Sequence, residues 1–213
     1  MKESFESLAS LLEEEYTPQE RVARLQEKVN KCTKCPISTK SIGKTYPLTR
    51  GNPDAPFAVI GEKSGPKEID KGYPFAGGSE REIVKNLKVA GLKPWKDVRA
   101  TNMTLCQVPQ GRPPKSEELK NCLWWQDLFE YNSPKAIISL GSIPLQILSP
   151  PDFAESIMQS DGLEFTWRGI PCIATFNPAY LIRLRNSAIN DYHEAKLVWS
   201  NQIAKFVQRI KQQ

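Results

Sequence analysis

The sequence predicts a single three-layer α/β/α domain, with helices on both faces of a central, mainly parallel four-stranded sheet. Two observations carry this. Short apolar runs alternate with amphipathic segments along the chain, and 213 residues suffice for one substantial core. A third observation bounds the setting. The hydrophobic fraction is 39 % with no apolar stretch near the length of a membrane span, and Met1-Lys2-Glu3-Ser4 lacks an apolar leader. A cytoplasmic protein with no membrane partner is the expectation.

The elements follow in order. Residues 1–16 are acidic and leucine-bearing, an N-terminal arm or helix, and the α/β domain is expected over 17–213. Thr17-Pro18-Gln19-Glu20 is a capping box with proline at the first helical position, opening a helix to about Lys31 that delivers Cys32 and Cys35. Phe57-Ala58-Val59-Ile60 is a short buried strand. Ser79-Glu80-Arg81-Glu82 caps a helix with Ile83, Val84, Leu87 and Ala90 on one face, closed by Gly91. Val98 to Leu105 suits a strand, and Ser116 starts a helix through about Tyr131. Ala136 to Leu140 is a buried strand ending at Gly141, Ile170 to Phe176 is a fourth, and residues 188–211 form a closing helix. Ligands of such sheets bind at the carboxyl ends of the strands. The loops to inspect are therefore Gly61–Gly65, Asn102–Pro114 and Thr175–Arg183.

Four of the five cysteines fall as Cys32-x2-Cys35, Cys106 and, after fifteen intervening residues, Cys122. Thiolates drawn from separate segments suit an iron–sulfur cluster or a structural zinc. Disulfides and buried thiols are the plainer alternatives, but a C-x2-C pair is tight for a structural disulfide and nothing indicates an oxidising compartment. Cys172, within Ile170-Pro171-Cys172-Ile173-Ala174, reads as a packed core thiol. With 29 basic and 24 acidic residues the net charge is +5, compatible with a polyanionic partner without requiring one.

The loops carry a resemblance. Gly61-Glu62-Lys63-Ser64-Gly65 and Gly72-Tyr73-Pro74-Phe75-Ala76-Gly77 are similar to the G-E-A-P-G and G-x-P-F-x-G segments of the uracil-DNA glycosylase superfamily, most of all its iron–sulfur-containing family 4. The family's T-N-x-x-K-C-R-P-P loop resembles Thr101 to Cys106, with Arg112-Pro113-Pro114 displaced by a short insertion. Its H-P-A-Y-L-L-R loop resembles Asn177-Pro178-Ala179-Tyr180-Leu181-Ile182-Arg183, and its cluster cysteines match Cys32, Cys35, Cys106 and Cys122. The resemblance covers roughly residues 30–210.

It implies a monofunctional, monomeric DNA glycosylase with a 4Fe-4S cluster, zinc being the competing metal, acting on single- or double-stranded DNA. Such an enzyme hydrolyses the N-glycosidic bond of uracil or a modified pyrimidine after flipping the nucleotide out of the stack. Phe75 would stack on the base in a pocket shared with Gly61 and Tyr73, and Asn102, with a donor and an acceptor, would read its edge. Glu62 would orient water or stabilise positive charge growing on the sugar. Pro178 and Tyr180 belong to the segment that enters the minor groove, and Arg112, Lys115, Arg183 and Arg185 would meet phosphates. The plainer readings are a core phenylalanine, a turn-capping asparagine and solvated arginines.

Two departures stand out. Asn177 replaces the family's histidine and can donate through its amide but cannot become cationic; the chain's one histidine, His193, lies sixteen residues on. Lys63-Ser64 replaces Ala-Pro, bringing either an outward-facing charge or an amine beside the scissile bond. With the small Ala76, Gly77 and Gly78, these motivate alternatives: a glycosylase for a bulky hypermodified pyrimidine, serving defence against modified foreign DNA, or a catalytically weak DNA-binding relative.

Overall fold

The computed structural model describes residues 16–40, 46–151, 153, 157 and 161–213. The expected N-terminal arm, Tyr16 excepted, lies outside them. Helix α1 (Pro18–Asn30) begins at the capping box: Thr17 Oγ1 accepts from the Glu20 N–H, and the Glu20 carboxylate accepts from the Thr17 N–H at 2.8 Å. A short helix α2 (Pro36–Lys40) follows, then β1 (Phe57–Lys63), α3 (Pro66–Lys71) and α4 (Ser79–Val89). Ser79 is the first residue of α4 rather than its cap; Gly78 takes the cap position with no side-chain bond, and Gly91 at φ 72° ends the helix.

Next come β2 (Val98–Thr104), a 3-10 turn at Pro109–Gly111, α5 (Ser116–Asn121) and α6 (Trp124–Tyr131). The single helix expected over 116–131 is thus two, broken where Cys122 takes φ −97° and ψ 73°. The remaining elements are β3 (Ala136–Leu140), α7 (Ser142–Leu148), β4 (Glu164–Trp167), β5 (Ile170–Thr175), α8 (Pro178–Ser187) and α9 (Ile189–Lys211).

The sheet has five strands in the order β2-β1-β3-β5-β4, all parallel except β4, which pairs antiparallel with β5. The unexpected fifth strand is a four-residue edge whose outward positions, Glu164 and Thr166, are exposed. It turns into β5 through Arg168 and Gly169, both at positive φ, as a two-residue hairpin requires.

Alternation along the strands feeds two cores. Ala58, Ile60, Met103, Ile137 and Ala174 meet α1, α6 and α7 through Leu25, Val29, Trp125, Phe129 and Leu145. Phe57, Val59, Ala100, Ile138 and Ile173 meet α4, α8 and α9 through Ile83, Leu87, Leu181, Trp199 and Phe206. Burial on both faces is what a parallel sheet demands. Cys172 is wholly buried in β5. Among the described residues no helix is long and apolar enough to cross a membrane.

Candidate active site and thiol pocket

A cavity of about 550 Å³ opens at the carboxyl ends of β1, β2, β3 and β5. Its tightest point is Gly61, which the register of β1 and β2 sets beside Asn102. A Cβ on Gly61 would lie 2.5 Å from Asn102 Oδ1 and 2.8 Å from Phe75 Cζ. Only glycine lets the amide and the ring close on one point. Asn102 is 3 % exposed, and its Nδ2 donates to Ser64 Oγ at 3.5 Å, a long contact that leaves the amide edge largely uncommitted.

Phe75 takes φ 56°, a left-handed conformation that costs an L-residue about 1–2 kcal/mol. Arg50 holds it there. One guanidinium nitrogen donates to the Phe75 carbonyl at 3.2 Å and the other pairs with Glu80 at 2.7 Å. The guanidinium lies over the rings of Tyr73 and Trp95, at 4.3 and 4.1 Å, and the Arg50 backbone exchanges two hydrogen bonds with Ala100. Tyr73 is therefore part of the Arg50 cradle and is not among the residues lining the cavity. Nothing local in the sequence singles out Arg50.

Glu62 and Lys63 both line the cavity. Lys63 Nζ donates to Glu62 Oε1 at 2.9 Å, to the Gly111 carbonyl at 3.0 Å and to the Arg112 carbonyl at 2.9 Å. An ammonium has three donors, so its full complement is used. Arg112 turns inward as well, with two bonds to Glu118 at 2.9 and 2.6 Å that hold the Glu118 carboxyl below the usual carboxylate range. The Lys115 side chain is exposed and outside the cavity.

The expected last loop is largely helix. Asn177 caps α8, its Oδ1 accepting from the Ala179 N–H at 2.9 Å, and the buried Pro178 takes the first helical position. With Oδ1 committed, the Asn177 Nδ2 is left to donate. Tyr180 stacks on Phe176 at 4.9 Å, and both line the cavity with Asn177 and Arg183. Arg185 does not; it stands 4.0 Å from the buried Glu82, which Lys196 and the Tyr192 hydroxyl also approach. His193 is exposed on α9, edge-on to Tyr192.

Sequence reasoning passed over several wall residues. Gly141 and Ser142 follow β3, and a Cβ on Gly141 would stand 3.1 Å from Asn177 Cβ. Gly141 was legible as a strand end but not as a wall. The Phe176 N–H donates to Asp161 Oδ1 at 2.9 Å. Burial pushes the Asp161 carboxyl up to about 6, against the lowering effect of its bonds from Phe176 and Gln202. The whole arrangement suits a planar ring with a hydrogen-bonding edge, flanked by a carboxylate and by an amide donor at the positive end of a helix.

Cys32, Cys35, Cys106 and Cys122 line a separate narrow pocket with Val29, Tyr46, Leu105 and Trp124. No cysteine is in a disulfide among the described residues. Burial pushes Cys122 up to about 12 and raises Cys106, which also feels Cys122, Cys35 and Cys32. Among the described residues no three His, Cys, Asp or Glu side chains converge as a single bound ion would need.

The family model for the uracil DNA glycosylase superfamily matches residues 48–200. The chain is 30 % identical over 188 residues to the type-4 uracil-DNA glycosylase of Thermotoga maritima, covering 85 % of this chain and 96 % of that one. Against the type-4 uracil-DNA glycosylase of Saccharolobus solfataricus it is 28 % identical over 183 residues, 81 % of this chain and 83 % of the relative. Against that of Archaeoglobus fulgidus it is 32 % identical over 119 residues, 55 % and 58 %.

Proposed function

The chain belongs to the uracil DNA glycosylase superfamily and is a DNA glycosylase, and we propose that it removes uracil from DNA by hydrolysis, acting as a monomer. The observation that carries the reading is the meeting of Phe75, Asn102, Glu62 and Asn177 in one cavity pinched at Gly61. A flipped uracil stacks on Phe75, and the Asn102 amide offers a donor and an acceptor to its edge. As the bond from C1′ to the base breaks, positive charge grows on the sugar and negative charge on the base. The Glu62 carboxylate stabilises the first and directs the water that adds to C1′. The Asn177 amide and the N-terminal end of α8 stabilise the second. The base leaves with the bonding electrons and takes a proton, and the sugar keeps the hydroxyl. Lys63, its three donors engaged by Glu62 and two backbone carbonyls, is not the nucleophile.

The thiol pocket fits a 4Fe-4S cluster. Its donors are all sulfur and its walls apolar. Cys32, Cys35, Cys106 and Cys122 would hold the cluster. When bound it supplies a structural tie between the end of α1 and the segment from β2 to α6, since glycosidic hydrolysis moves no electrons.

The test is single-turnover excision from a uracil-containing oligonucleotide. Asn102→Ala is expected to slow excision about 10²-fold, the scale of one preorganised donor, with binding to abasic DNA unchanged. Equal loss of abasic binding would make Asn102 a folding residue. Turnover only on DNA carrying a bulky 5-substituted pyrimidine would move the substrate.

A further inference from the structure

Two arginines that the sequence assigns to phosphate have carboxylate partners, Arg112 bonded to Glu118 at 2.6 Å and Arg185 standing 4.0 Å from Glu82. Besides the exposed Lys115 and Arg183, positive charge lies along a second groove of about 420 Å³, lined by Lys67 and Lys71 of α3, Arg81 of α4 and Ala76, Gly77 and Gly78. Among the described residues none of these three cations makes an ion pair. Of the two carboxylates on the groove, Glu80 is taken by Arg50 at 2.7 Å, leaving Asp70 alone against three cations. The groove adjoins the cavity, because Gly65, Glu68, Phe75 and Ser79 of the same segment line the latter. Its glycine floor is open: a Cβ on Gly77 would meet only Glu68 Oε1, at 3.8 Å, and one on Gly78 only Ile182 Cδ1, at 3.5 Å. Lys67 and Lys71, four residues apart, stand one helical turn apart on one face. That makes a row of charge, matched to a chain of phosphates rather than to a single anion.

We propose that this groove carries the phosphate backbone of the DNA strand as it passes the cavity, with Lys67, Lys71 and Arg81 supplying sequence-independent affinity. The proposal rests on the glycosylase reading above. Each phosphate neutralised contributes about 0.7 to 0.9 to the slope of log affinity against log salt. The triple variant Lys67→Gln, Lys71→Gln, Arg81→Gln is therefore expected to bind an abasic oligonucleotide with a slope shallower by about two to three. Single-turnover excision at saturating DNA should stay within about twofold of wild type, because none of the three lines the cavity. Should the triple variant not melt cooperatively, Lys67→Gln alone is expected to lower the slope by about 0.7 to 0.9. An unchanged slope overturns the groove. So does an unchanged slope accompanied by lost binding to polyglutamate, which would point to an acidic protein partner. Failure of the glycosylase reading shows separately, as wild-type protein that binds DNA with the expected slope difference yet excises nothing.

Discussion

Gly61 sets the shape of the cavity by having no side chain. The Asn102 amide and the Phe75 ring both close over the space that a Cβ there would fill. Gly61→Ala is expected to cut single-turnover excision by about 10²-fold while costing only about 1–3 kcal/mol of stability, the range of an overpacked site. Equal fractional losses in excision and in the folded population at the assay temperature would contradict it. A second residue works through pH. Because burial raises the Asp161 carboxyl to about 6, the folded state prefers it protonated. That preference adds stability below about pH 4 and is lost as pH rises through 6. Asp161→Asn still offers an oxygen to the Phe176 N–H and has no proton to lose. The variant should therefore melt higher than wild type at pH 7 and lose that advantage at pH 4; a difference constant with pH would show that charge is not the cause. At this scale, what the sequence made legible were residues in short motifs at strand ends: Gly61, Glu62, Phe75, Asn102 and Asn177 share one cavity. Tyr73 and Arg185 differ because their partners, Arg50 and Glu82, are distant in sequence, and Arg112 differs because Glu118, six residues on, takes up its guanidinium.

Among the elements, the buried strands and the two-faced sheet were legible because apolar runs bounded by glycine leave few alternatives. The edge strand β4 was not, since half of its side chains face solvent and its turn uses Arg168 where asparagine or aspartate is the usual signal. The start of α8 was written in Asn177-Pro178, a cap followed by a first-turn proline; the family motif drew attention to chemistry there and away from capping. The turn at Pro109–Gly111 is held by the ammonium of Lys63. Lys63→Met is expected to speed hydrogen exchange of the Gly111 and Arg112 amides at least about tenfold, the effect of losing about 1.4 kcal/mol of local stability. Excision should slow without a change of product, and borohydride should trap no protein–DNA adduct in either protein. An adduct in wild type that vanishes in Lys63→Met would make the lysine a nucleophile.

Across the whole molecule, the sheet separates two cores, and the cavity sits at its carboxyl edge. The thiol pocket packs into the core beneath α1 and α6 and gathers chain from the end of α1, the end of β2 and the break between α5 and α6. Its four cysteines were legible as a set, though the helix break at Cys122 was not. Purified protein should be brown, with stoichiometric iron. Cys106→Ser should lose the colour and melt lower, by the several kcal/mol typical of losing a structural metal centre. Colourless protein carrying one zinc per chain would replace the cluster with an ion.

The grip of Lys63 has a consequence for divergence. It holds Gly111 and Arg112 by their carbonyl oxygens, which every amino acid carries. The lysine's own hold therefore does not read the side chains of the turn, whereas adding or removing a single residue would carry the carbonyls out of reach. What limits the letters is separate, the Arg112 bonds to Glu118 and the positive φ of Gly111, so relatives that keep a lysine at this position should agree first in the number of residues in the turn.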